Sequence, residues 1–298
     1  MLATIIGCQN GVGLEKDKDI LTEILIDNDI TVEFRNVKYK TPINPKTTMC
    51  IHTEVVEPYF LGKRNILIPN QEWFLKKWLI HLKNFDAIFC KTLYAKEIFS
   101  KYHDNVIYTG FTSKDCYVEV NKKMECFHAQ GRSKVKGTQF IIEAWEKQNL
   151  PKLNLVSKKI RHKINTENIK LYKSFLPSDH FNQLRNESMV HLCPSEAEGF
   201  GHYINESKSC GAAIITTGFA PMNELINEFT LPIYKKRQYA NMMGERVTVR
   251  PSDIGKMVSQ LFQRNDLHEI GMRNRQNFIE NDSRVRRTFS VELNKILI

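Results

Sequence analysis

Short apolar runs alternate along the chain with stretches in which apolar residues recur at helical spacing. The first run, Met1 to Gly7, ends on a glycine. It is followed by Gln9-Asn10-Gly11-Val12-Gly13 and then by Leu14, Ile20, Leu21, Ile24 and Leu25 on one helical stripe, which predicts strand, glycine loop and helix. Further extended runs are predicted at Ile30 to Val37, Thr48 to His52, Asn65 to Ile68, Ala87 to Cys90 and Val106 to Tyr108. Helical patterns fall between them at Glu72 to Leu82 and Leu93 to Tyr102.

The alternation restarts at Met124 to Ala129. A helix is predicted over Thr138 to Lys147, a strand over Leu153 to Ser157, and a helix opening at Ser178 or Asp179. Met189 to Cys193 and Ala212 to Thr217 read as strands on either side of a helix over Gly201 to Cys210, which Gly211 stops. Strands alternating with helices of this length imply parallel sheets with right-handed crossovers. The fold class is therefore α/β, with two doubly wound, Rossmann-like halves at 1–122 and 123–270 and a terminal segment at 271–298.

Composition narrows this little: 42% hydrophobic and 26% charged residues in 298 is ordinary for a globular protein, and excludes disordered or fibrous classes. The length lies where single cores give way to two domains. Charge adds more, because a formal net charge of +10 suggests an anionic partner. The seven cysteines are scattered, with no Cys-x-x-Cys pair and no Cys/His cluster, so neither zinc nor a disulfide framework is expected, and free thiols fit a reducing cytoplasm. No apolar run approaches the roughly 20 residues of a membrane-spanning helix, which leaves a soluble or peripheral protein.

Candidate chemistry concentrates at one strand-to-helix junction. Glu198 and Glu206 are separated by seven residues, with Gly199-Phe200-Gly201 between them. Ligands of open α/β sheets bind beyond the carboxyl ends of the strands, and free N–H groups opening a helix favour an anion such as phosphate. Two glutamates flanking such a site can grip hydroxyl groups on either side of it. Upstream, Arg132, Lys134 and Lys136 follow a strand and precede a helix, where charge and donors converge as a diphosphate requires.

Pro194-Ser195, Glu198-Gly199-Phe200-Gly201, Glu206 and Cys210-Gly211, leading on to Pro221 and Glu224, together resemble the E-x7-E signature of retaining GT-B glycosyltransferases of the family 4 type. Gly131-Arg132 through Lys136-Gly137 is similar to that family's Gly-Arg…Lys-Gly segment, although one residue fewer separates Arg from Lys here. The resemblance covers about 124 to 260, and reaches the first half only through architecture. It implies two Rossmann-like domains around a cleft, with a last helix crossing back to the first. It also implies a nucleotide-diphosphate sugar, UDP- or GDP-linked, as co-substrate, with no other cofactor and no metal.

Carried over position by position, the resemblance gives Lys136 and Arg132 the diphosphate, Glu198 the donor sugar, Glu206 the ribose, and the backbone of Gly199, Phe200 and Gly201 the sugar and phosphate. Gly11 and Gly13 would lie beside the diphosphate, and Phe175, within Tyr172 to Leu176, beside the nucleobase.

His52, Asn70 and Glu72 follow strands of the first half and are acceptor or cleft candidates; Lys91-Thr92 and Thr112 to Asp115 follow later strands. Trp73 to Lys83 mixes aromatic, aliphatic and lysine residues in a pattern shared by peripheral membrane helices and by ordinary amphipathic ones. The surplus charge keeps two acceptors open: hydroxymethylated DNA of a phage or virus, and a glycan or lipid-linked saccharide at a membrane surface. A non-catalytic nucleotide-sugar or nucleic-acid binder and a GT-B epimerase are the alternative readings.

Overall fold

The computed structural model describes residues 1–8, 13–161, 163–174 and 176–297. The first half holds β1 (Leu2–Gly7), α1 (Gly13–Ile26), β2 (Thr31–Asn36), β3 (Met49–Thr53), β4 (Arg64–Ile68), β5 (Ala87–Cys90), α2 (Leu93–Phe99) and β6 (Val106–Tyr108). Its six strands form one sheet in the order β2-β1-β3-β4-β5-β6, every pair parallel.

The second half holds β7 (Lys123–Ala129), α3 (Thr138–Lys147), β8 (Leu153–Val156), β9 (Ile169–Tyr172), α4 (Ser178–Glu187), β10 (Ser188–Cys193), α5 (His202–Ser209), β11 (Ala213–Thr217), α6 (Met222–Leu225) and β12 (Thr230–Leu231). The order is β12-β11-β10-β7-β8-β9, again all parallel. A hairpin of β13 (Lys235–Gln238) and β14 (Glu245–Thr248) precedes α7 (Pro251–Leu261) and α8 (Leu267–Leu297). Strand order reverses between β1 and β3 in the first sheet and between β7 and β10 in the second, and ligand crevices open at such reversals.

Central strands such as β3, β10 and β11 are buried along their whole length, as parallel strands covered by helices must be. Leu267 and Ile270, at the start of α8, belong to the second half's core with Trp145 and Leu192. Phe289 and Leu293, near its end, belong to the first half's core with Ile5 and Leu21, and Phe289 meets Phe89 edge to face at 5.2 Å. The last helix thus spans both halves.

One predicted helix is different. Glu72 to Leu82 is replaced by a 3₁₀ segment over Lys76–Asn84. The preceding backbone is drawn out against a loop of the second half: Lys76 N–H donates to Asn241 O at 3.0 Å and Met243 N–H to Phe74 O at 3.0 Å. Backbone committed sideways in this way cannot close helical turns.

Candidate interdomain site

Past the end of β10, the chain runs from Pro194 to Gly201 before entering α5. Gly201 has φ 104°, a left-handed geometry that favours glycine, and this turn aims the start of α5 at the first half. Val247 N–H donates to Glu196 O and Glu196 N–H to Val135 O, both at 2.9 Å, so the loop is pinned between the hairpin and the segment carrying Lys136. A side chain on Gly137 would overlap the Pro194 carbonyl, which accounts for a glycine beside the lysine.

Lys136 Nζ is ion-paired to Glu198 Oε1, and Ser195 Oγ donates to the same oxygen. Ser195 also shares a 2.6 Å hydrogen bond with the Tyr203 hydroxyl, whose pKa burial pushes well up, and Lys136 Nζ stands 3.9 Å from the centre of the Tyr203 ring. On α5, Glu206 is held by Lys16 Nζ, from α1 of the other half, and by Arg185 Nη1 at 3.4 Å. Glu206, Arg185 and Tyr203 face the ends of β7 and β10 across a small cavity of about 40 Å³ at the second sheet's reversal point.

The first half closes over this loop. Gln71 Nε2 donates to Glu198 O at 2.7 Å, and the Asn70 side chain leaves no room for a Cβ on Gly199. Asn70 Nδ2 in turn holds Glu54 Oε2 at 2.7 Å. Beside them the Glu72 carboxyl is pushed up to about 8, first by burial and then by the charge of Glu54. One of its oxygens is sealed from solvent without a partner among the described residues.

Beneath the start of α5 lies a second polar layer. His202 Nε2 and Asp17 Oδ1 are 2.8 Å apart, Lys91 Nζ donates to Asp17 Oδ2 at 2.8 Å, and Ser113 Oγ meets His202 Nδ1 at 2.8 Å. Burial alone would raise the Asp17 pKa, but Lys91 and His202 overcome it and hold the carboxyl at about 2. Four residues from widely separated segments thereby lock α1, β5, the connector between the halves and α5 together.

Of the residues expected from sequence, Lys136, Glu198, Gly199, Gly201, Glu206, Asn70 and Glu72 lie around this junction, and Gly13 opens the helix that carries Lys16. The Phe200 side chain packs into the first half's core, 5.5 Å from the Phe111 ring, and only its backbone belongs to the turn. Arg132 is exposed, and its carbonyl accepts from Lys159.

His52 is not a cleft residue. It is fully buried, its Nε2 lies 3.3 Å from Phe60 O, its ring meets Phe85 edge-on, and burial pulls its pKa down to about 4. Gly11 and Phe175 lie outside the described residues. Sequence reasoning missed Lys16, Asp17, Arg185 and His202, whereas Gln71 falls within the Asn70-Gln71-Glu72-Trp73 segment expected to face the cleft. Asp17 alone left a signal, as a charge within the apolar stripe of α1.

No family model matches the chain, and no curated protein matches it by sequence. Solved structures do match in shape. Sucrose-phosphate synthase (tll1590) from Thermosynechococcus elongatus superposes with a TM-score of 0.71 at 10% identity, over 100% of this chain and 98% of that one. WaaG, a glycosyltransferase involved in lipopolysaccharide biosynthesis, gives 0.63 at 10% identity over 98% and 99%. The fold is that of the GT-B glycosyltransferases. The pneumococcal O-GlcNAc transferase GtfA, solved with UDP and GlcNAc, gives 0.60 at 13% identity over 84% of this chain, which spans only 57% of the GtfA chain. In this GT-B frame the Glu198–Glu206 junction falls where the second half faces the first.

Proposed function

We propose that the protein is a retaining glycosyltransferase that moves a sugar from a nucleotide diphosphate to an acceptor hydroxyl. The observation that carries this reading is the gathering of Lys136, Lys16 and Arg185 around the Glu198–Glu206 pair, at the mouth of the second sheet's reversal point and against the first half. A diphosphate leaving group needs concentrated positive charge, and preorganised cations with the N–H groups opening α5 supply it. Glu206 takes the ribose hydroxyls, Glu198 the sugar, and Lys136 and Arg132 the diphosphate. Retention follows from attack on the face the leaving group departs from, with the departing phosphate oxygen taking the acceptor proton. Chelators should leave the rate unchanged.

For the acceptor we infer an anionic polymer. The β13–β14 hairpin exposes Lys235, Lys236 and Arg237, and Arg246 stacks within 4.9 Å of the Trp73 ring and 4.5 Å of the Tyr239 ring. The loop joining its strands runs along Gln71 to Lys76, so the cationic, aromatic surface adjoins the cleft. Duplex DNA bearing hydroxymethylated bases fits such a surface, and a glycan at an anionic membrane is the alternative that vesicle binding would reveal.

The deciding experiment is a thermal-shift screen of nucleotides and nucleotide sugars, followed by product analysis without acceptor. Stabilisation by one nucleotide diphosphate, with slow release of free sugar, supports transfer. An isomerised nucleotide sugar would make the protein an epimerase, and stabilisation without turnover a binder.

A further inference from the structure

A second cavity, of about 340 Å³, shares no lining residue with the crevice at Glu206. Its walls come from both halves and from α8, and its volume is that of a small-molecule site. Lys208, in the last turn of α5, is 8% exposed and lines this cavity, and its ammonium has no ion-pair or hydrogen-bond partner among the described residues. Burial, helped by the charge of Arg284, pulls its pKa down to about 8.

The acids nearby do not compensate it. Both oxygens of Glu224 accept N–H groups at the start of α2, from Leu93 at 2.7 Å and Tyr94 at 2.8 Å. Glu280 accepts from Gln276 at 2.8 Å, and the cavity's other lysine, Lys91, is already paired with Asp17. Leaving a buried ammonium unpaired is costly, and an anion placed against it recovers that cost. Arg284 adds a second cation with N–H groups beyond the one it gives Asn281. Tyr108 and Asn277 also line the cavity and bring a hydroxyl and an amide as neutral hydrogen-bonding groups.

We propose that this cavity is a second ligand site that binds a phosphorylated sugar, its phosphoryl group held by Lys208 and Arg284 and its hydroxyls by Tyr108 and Asn277. The proposal is independent of the donor assignment, since the two cavities have separate walls. Because those walls belong to both halves, an occupied site clamps them together at α8.

Calorimetric titration with glucose 6-phosphate and with inorganic phosphate tests it, on the wild type and on Lys208→Met and Arg284→Gln, with thermal melts confirming that each variant folds. One-site binding of glucose 6-phosphate is expected, tighter than that of phosphate, undisturbed by saturating UDP or GDP, and weakened roughly ten-fold or more in each variant. Arg284 is exposed, so Arg284→Gln remains informative if Lys208→Met fails to fold. The site is overturned by absence of saturable binding, by equal affinity for inorganic phosphate, by displacement with UDP or GDP, or by unchanged affinity in a folded variant.

Discussion

His202 Nε2 meets Asp17 Oδ1 at 2.8 Å across the junction of the two halves, while the other oxygen of Asp17 holds Lys91. A carboxylate 4% exposed between two basic groups is the keystone of this contact. Asp17→Asn removes the negative charge and leaves Lys91 buried without a counter-ion, a change that costs about 3 kcal/mol in comparable buried pairs. Urea unfolding at pH 7 checks it. A shift below about 0.5 kcal/mol would show that the pair holds nothing together.

The same carboxylate predicts an acid limb. Its pKa in the fold, about 2, lies below its ordinary value of 3.8, so its contribution is fully present above pH 3.8 and is lost as pH falls through 2. The difference corresponds to about 2 kcal/mol. Wild type should therefore lose stability between pH 4 and 2 more steeply than Asp17→Asn, as followed by denaturant midpoints at several pH values.

At the proposed donor crevice, Lys136→Ala and Glu206→Ala should each weaken binding of the nucleotide sugar roughly 10- to 100-fold, the range for one charge-assisted hydrogen bond. Glu198→Gln should act on turnover more than on nucleotide affinity, because its proposed partner is the sugar. Unchanged calorimetric affinity in both Lys136→Ala and Glu206→Ala would remove the donor site from this junction.

Gly199 and Asn70 form another contact between the halves. A Cβ on Gly199 would strike the Asn70 amide, which holds Glu54, so Gly199→Ala forces that side chain away at about 1–3 kcal/mol. In Asn70→Gly/Gly199→Ala the clash is absent, because the Asn70 Cβ, itself 2.9 Å from the added Cβ, is removed with the amide, and the double variant should be no less stable than Asn70→Gly alone. Additive losses in the cycle would place the strain elsewhere.

Much of the architecture is legible in the sequence because parallel strands covered on both faces appear as short apolar runs, as at Met49–Thr53 and Ser188–Cys193. Glu198, Glu206 and Lys136 are legible for a different reason: charges and glycines stand at strand-to-helix turns. The partners that complete the site are not. Lys16 and Arg185 are ordinary basic residues until folding brings both against Glu206. The β13 strand is exposed throughout, with no alternation to announce it, and the segment after Glu72 is shaped by backbone bonds to residues far along the chain. His52 misleads because a histidine closing a strand looks like a cleft residue, whereas burial and the Phe60 carbonyl make it part of the core.

Glu72 supplies the opposite pH dependence from Asp17. Its carboxyl is raised from an ordinary 4.5 to about 8 by burial and by the neighbouring Glu54 and Glu198. An acid with a raised pKa holds its proton longer in the fold than in the unfolded chain. Its contribution is fully present below pH 4.5 and is lost progressively as pH rises to 8. Glu72→Gln keeps the size and hydrogen-bonding capacity but cannot ionise, so it should match wild type near pH 4.5 and exceed its stability at pH 8 by about 2 kcal/mol, allowing for partial exposure. Urea midpoints for both proteins at pH 5, 7 and 8.5 give the comparison. Parallel curves would mean that Glu72 ionises in the fold as it does in water, and would remove it as a neutral carboxyl facing the cleft.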